Sequence, residues 1–211
     1  MKSLFLCLAL AALPAFGGQR AASLAPIALY TQFQQEPPQA VLESLQAELE
    51  SIMAPMGLSF EWRSLGAPGG NQVSVELAVV AFKGRCDVAG LLPRSMNPGA
   101  LGWTHISDGA ILPFADIDCE AVRSFVQKDL LAVRPADRAQ VFGRALARVV
   151  AHELYHIFAN TTHHGSDGVG RESYSVQNLL SPGFQFEARE SLALRNSKAH
   201  TALAAADADV F

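Results

Sequence analysis

The chain reads as a single α+β domain with a mixed twisted sheet, one long helix and a C-terminal helix. Three observations predict this. The length, 211 residues with half of them apolar and 17% charged, suits one well-buried domain and is short for two. Alternating or valine-rich runs typical of strands recur through the first 117 residues, interrupted by one helical interval. Helical spacing then dominates from Pro135 to Asn160 and again from Glu187 to about Ala205.

The elements follow in order. "APIALYTQF", Ala25 to Phe33, predicts a first strand, ended by the polar "QQEPPQ". Pro37 and Pro38 open a helix whose Val41, Leu42, Leu45, Leu49, Ile52 and Met53 share one face, and Gly57 ends it. "LSFEWRSL", Leu58 to Leu65, alternates as a strand does, and "QVSVELAVVAFKG" beyond the "GAPGGN" loop is another strand-like run. "CDVAGLLPRSMNPGA" is irregular, punctuated by Pro93, Pro98 and Gly99. "LGWTHI" and "GAILPFADI" are two short strands joined by "SDG", which suits a tight turn.

The long helix carries Val141, Leu146, Val149, Val150, Leu154, Ile157 and Phe158 at helical spacing, with Asn160 as a left-handed stop. A short segment around Tyr174 to Leu180 and a break at Ser181-Pro182-Gly183 precede the C-terminal helix. No repeat or low-complexity tract is visible.

The first residues, "MKSLFLCLALAALPAFGG", read as a secretory signal over residues 1–17, leaving 18–211 as the domain. Lys2 precedes an apolar run ended by Pro14, and Ala15 and Gly17 are small enough for a signal peptidase. The run is too short for a stable membrane span, so the expected location is secreted or periplasmic. The net charge of -4 and the absence of a basic stripe argue against nucleic acid as a partner. Beyond the signal, Cys86 and Cys119 form an even pair in an oxidising compartment. A disulfide and two separate buried thiols are both open readings.

The chemistry concentrates in "AHELYHIFANTTHHG", Ala151 to Gly165, which holds four of the six histidines. On a helix His152 and His156 lie about 40° apart on one face and one turn apart, so two imidazoles can meet a common ion. Glu153 is rotated from His152 by about 100°, beside the ion, where it can take a proton from water. This is the logic of the His-Glu-x-x-His zinc hydrolases. A catalytic zinc needs a third protein ligand, and His163, His164, Asp167 and Glu172 follow the helix stop. Histidine suits zinc better than carboxylate does, which places Asp167 and Glu172 lower.

With a third histidine after a turn, the motif resembles the metzincin branch of the zinc metallopeptidases. The strict signature would put that histidine at Thr162 and a glycine at Ala159, and neither matches. A closer resemblance is to small secreted, metzincin-like bacterial proteins of unassigned activity. Their third histidine stands eight residues after the second ligand, with a glycine four further on, here His164 and Gly168. That resemblance implies His152, His156 and His164 as zinc ligands, His163 as a neighbour, and a zincin-like fold. Metzincins carry a methionine turn beneath the metal, but Met1, Met53, Met56 and Met96 all precede the motif. Where these relatives often have methionine, two residues after their glycine, this chain has Gly170.

The resemblance implies a zinc-dependent peptidase acting on a peptide or protein substrate, with Glu153 as general base. The competing reading is a zinc-binding protein that keeps the scaffold without useful turnover. In zincins an edge strand beside the active helix aligns substrate, and "GALGWTHI" is the candidate, placing Trp103 and His105 near the cleft. His105 can equally be a strand-surface residue. Tyr155 points away from the ligand face toward the core, and Tyr174 is either a packing residue or a hydrogen-bond donor to an oxyanion. Oligomeric state is not legible.

Overall fold

Residues 27–66, 74, 76–94 and 96–201 are described by the structure, a computed structural model. The expected signal segment, residues 1–17, lies outside them. Five strands form one mixed sheet in the order β2-β1-β3-β5-β4. β1 (Ile27–Phe33), β2 (Phe60–Ser64), β3 (Leu77–Lys83) and β5 (Ala110–Asp118) are mutually parallel, and β4 (Gly102–Ser107) runs antiparallel along one edge. The α+β expectation holds. Among the described residues no helix is long and apolar enough to cross a membrane.

Alternation decides which sheet face is buried. Ala78, Val80 and Phe82 of β3 are buried, while Leu77, Val79 and Ala81 between them are exposed or half-buried. Ile27 and Leu29 of β1 and Ile117 of β5 join the same core. Two helices contribute most of the rest of that core: α1 (Gln39–Met53) and α3 (Arg138–Ala159). They lie against each other at Gly143, whose backbone touches the Val41 carbonyl and the Ser44 side chain. A side chain at Gly143 would have to displace backbone. Ser44 Oγ bonds the Gln140 carbonyl at 2.6 Å across the same contact.

β4 and β5 form the expected hairpin. Asp108 and Gly109 both adopt positive φ, 50° and 78°, the backbone of a primed turn whose twist matches the strands. The pairing is irregular between Thr104 and Ile106, opposite the β5 segment that carries Pro113, which has no N–H to donate.

Two expectations need correction. Residues 119–134, assigned to no element from sequence, contain α2 (Cys119–Ala132). Asp118 caps it by accepting from Ala121 N at 2.8 Å, and Val122, Val126 and Leu130 bury one side at four-residue spacing. The single helix expected from Glu187 to Ala205 is instead α5 (Ala188–Arg195), which stops at Asn196. Ser197 Oγ accepts from His200 N at 3.3 Å and caps a new helical turn at 198–201, so these polar residues break the helix. The remainder of the expected helix, 202–205, lies outside the described residues. A short helix, α4 (Val176–Leu180), occupies the expected segment after Tyr174.

Cys86 and Cys119 are joined by a disulfide, with sulfurs 2.00 Å apart. It ties the loop after β3 to the first turn of α2 and closes a sequence separation of 33 residues.

Candidate metal centre

The last two turns of α3 carry His152, Glu153 and His156, all nearly buried. The helix stops at Asn160, where φ 48° and ψ 53° turn the chain out of the helix, and Thr161 N closes on the His156 carbonyl. The following loop folds back over the histidines. It is pinned by Gly165 N to the Gly170 carbonyl at 2.7 Å and by Val169 N to the Gln185 carbonyl at 3.1 Å. Gly168 sits at φ 64° with its Cα against the Gln185 carbonyl, so both the dihedral and the close approach require glycine.

The fold-back brings His164 to the pair. One nitrogen from each of His152, His156 and His164 lies within 4.8 Å of the others, close enough to bind a single metal ion. The His164 ring stacks on His152 at 5.2 Å and meets His156 edge-on at 4.8 Å. His163 does not join them; it is exposed, and its backbone N bonds Thr161 Oγ1. Asp167 is exposed beside Arg171, and Glu172 lines the cleft without entering the cluster. Of four candidates, His164 is the one the loop delivers.

The hydrogen bonds of the two helical histidines point outward. His152 Nδ1 faces the Val169 carbonyl at 2.9 Å, and His156 Nδ1 faces the Thr161 carbonyl at 2.7 Å. A carbonyl accepts only, so each Nδ1 carries the proton and donates. The Nε2 atoms, 3.0 Å apart, then present lone pairs to each other. Two acceptors at that distance repel unless a cation lies between them. A tetrahedral zinc with Zn–N of about 2.0–2.1 Å holds two nitrogens roughly 3.3 Å apart, so the pair is close to ready for an ion. Carbonyl bonds to Nδ1 also set the ring orientation, as in established metal-ligating histidines.

Burial shapes the charges. It lowers the His152 pKa to about 4, with the Val169 bond opposing and His156 and His164 reinforcing. His156 is lowered by the same cause. Burial raises Glu153 to about 7, against two bonds from Thr104 that favour the carboxylate. The Tyr174 hydroxyl donates to the Val169 carbonyl, the same oxygen that receives the His152 proton, and its ring packs edge-on to His152 at 5.7 Å. Burial, with the nearby Glu153 charge, pushes that hydroxyl well above 10. Tyr174 thus braces a histidine, and of the two sequence readings packing is the closer.

A cleft of about 400 Å³ opens on these groups. Edge strand β4 forms one wall through Trp103, Thr104 and Ile106, with Phe125 and Val149 as apolar lining. His105 is not in the lining; it turns to Asp116, 2.9 Å away, whose other oxygen pairs with Lys83. Tyr155 packs on Phe186 in the core, as expected from its helix face. At Gly170 an added Cβ would come within 2.7 Å of Glu190 Cγ, so the buried Glu190 leaves no space for methionine there.

Sequence reasoning missed Thr104 and Phe125. Thr104 stands inside the strand already singled out, where the irregularity begins, and nothing in its sequence context marks it. Comparison with protein-family models, curated proteins and solved structures returns no match.

Proposed function

We propose that the protein is a secreted, zinc-dependent peptidase of zincin-like fold. One observation carries the reading: three imidazoles lie within reach of one ion, and Glu153 lines the same cleft, which an edge strand walls. Three nitrogen donors of intermediate softness favour zinc over magnesium or calcium, which prefer oxygen. The chemistry that a bound zinc supplies is a water acidified toward neutrality and a polarised carbonyl.

The chain's own residues do the rest. His152, His156 and His164 would hold the ion, the first two oriented by the Val169 and Thr161 carbonyls. Glu153, held beside the histidines in the same cleft, would accept a proton from the attacking water and pass it to the leaving amine. The outer edge of β4, unpaired among the described residues, offers N–H and C=O groups to an extended peptide. Leu101, Ile111, Phe125 and Val149 make the adjoining wall apolar, which favours a substrate with a bulky apolar side chain. The Cys86–Cys119 disulfide supports an oxidising compartment and hence secretion.

Glu153→Gln tests the reading. It should leave zinc binding intact and abolish cleavage of a broad peptide library. Substantial cleavage by that variant would remove Glu153 from its role. Tight zinc binding by the parent protein with no cleavage at all would leave a zinc-binding protein on this scaffold.

A further inference from the structure

Glu153 is held from outside its own helix. Thr104 Oγ1 lies 2.8 Å from Glu153 Oε2 and 3.2 Å from the Glu153 backbone carbonyl. A hydroxyl has one proton, and the shorter contact, to the carboxyl, takes it. The strand is seated on the helix at a second point, since a Cβ on Gly102 would lie 3.0 Å from Val149 Cγ1.

These two contacts are in step. Val149 and Glu153 are four residues apart on α3, a rise of about 6 Å at 1.5 Å per residue. Gly102 and Thr104 are two residues apart on β4, a rise of roughly 6.6 Å at 3.3 Å per residue. Strand and helix therefore mesh one repeat to one turn, and Thr104 falls against the carboxyl-bearing residue. Just beyond Thr104 the β4–β5 pairing becomes irregular, so this is the last regularly paired β4 residue before the pattern shifts.

We propose that Thr104 is the positioning residue for Glu153, its hydroxyl tying Oε2 to the edge strand beside a backbone bond from the same residue. The proposal rests on the peptidase reading above, and its consequence is that the wall that receives substrate also sets the rotamer of the base. A carboxylate on a flexible side chain loses rotamer freedom only when something holds it. Mispositioning by about 1 Å costs on the order of 100-fold in rate.

The test compares Thr104→Val, which keeps the shape and removes the hydroxyl, with Thr104→Ser, which keeps the hydroxyl, both in the full zinc-loaded chain. For Thr104→Val, kcat on a cleaved peptide should fall about 10- to 100-fold with KM within about three-fold, zinc affinity being unchanged. Thr104→Ser should restore kcat to within about three-fold of the parent. Crystal structures should show the Glu153 carboxyl displaced or in two rotamers in Thr104→Val, and in one place in Thr104→Ser.

A Thr104→Val enzyme with kcat within about two-fold of the parent overturns the proposal, as does a loss that serine fails to rescue or a carboxyl that has not moved. If the parent cleaves no peptide, the peptidase reading fails separately, and the Glu153 position in the two crystal structures still decides the role of Thr104.

Discussion

One turn of α3 separates two buried polar sites of opposite character. Arg148 is fully buried, yet its charge is matched within the protein: Nε bonds Glu48 Oε1 at 2.9 Å and Nη1 bonds the Asn178 carbonyl at 2.6 Å. Its guanidinium also lies over the Phe184 ring at 5.3 Å. His152 and His156, four and eight residues on, spend their donors on carbonyls and turn their remaining nitrogens toward each other and His164. The Arg148 site joins α3 to α1 and α4, its charge paired with Glu48. The histidine site gathers acceptors from three rings, close enough together to bind one metal ion. One site closes its charge within the protein, and the other leaves room for an ion.

The sharpest break of this contrast is Arg148→Ala. It leaves Glu48 without its cation and opens the α1–α3–α4 junction, so denaturant unfolding should show a loss of about 3–5 kcal/mol. Added zinc should not repair that junction. The converse change, His164→Ala, should leave the metal-free fold near parental stability, because the side chain is exposed. Its zinc affinity should nevertheless fall at least about 100-fold in a chelator competition, while His163→Ala stays within about two-fold. Equal losses from the two variants would break the assignment of His164.

Zinc itself provides a third comparison. At a free concentration 100 times its Kd it should add about 2.7 kcal/mol, visible as a Tm rise of roughly 5–10 °C. The same increment is expected in Arg148→Ala if the two sites are independent. A thermal-shift titration of both proteins checks this.

The smallest effect comes from pH in the metal-free protein. His152, near 4 in the fold against an ordinary 6.5, contributes stability complete above 6.5 and lost as pH falls through about 4. Glu153, near 7 against 4.5, contributes stability complete below 4.5 and lost as pH rises through about 7. The two oppose each other between those limits, and the lowered His156 adds to the His152 side. Glu153→Gln removes the opposing group. Above pH 7 it should stabilise the metal-free protein by on the order of 2 kcal/mol, and its loss of stability in acid should be steeper. A flat difference between the two proteins across pH 4–8 would show that Glu153 is not desolvated.

Much of this architecture was legible because it is periodic. β1, α1, the β4–β5 hairpin and α3 each repeat an apolar pattern long enough to read, and Gly57, Asp108-Gly109 and Asn160 supply the backbone conformations that end or join them. α2 is masked in the sequence although Asp118 and the Val122–Val126–Leu130 spacing mark it, because Arg123, Gln127 and Lys128 dilute its apolar character. The C-terminal helix was overextended because alanine-rich composition outweighs two polar residues in a propensity argument, whereas Ser197 in fact caps a new turn.

His152, His156 and Glu153 were determined by sequence alone, since four residues on a helix fix a direction in space whatever surrounds it. The remaining parts of the site depended on where distant segments meet. His164 was separated from His163 by a loop whose path is set by Asn160, Gly168 and the Gln185 carbonyl. Thr104 reaches Glu153 across 49 residues, and Cys86 reaches Cys119 across 33. Local periodicity carries no information about such meetings. They follow from the packing of a sheet against one helix, which is a property of the whole chain.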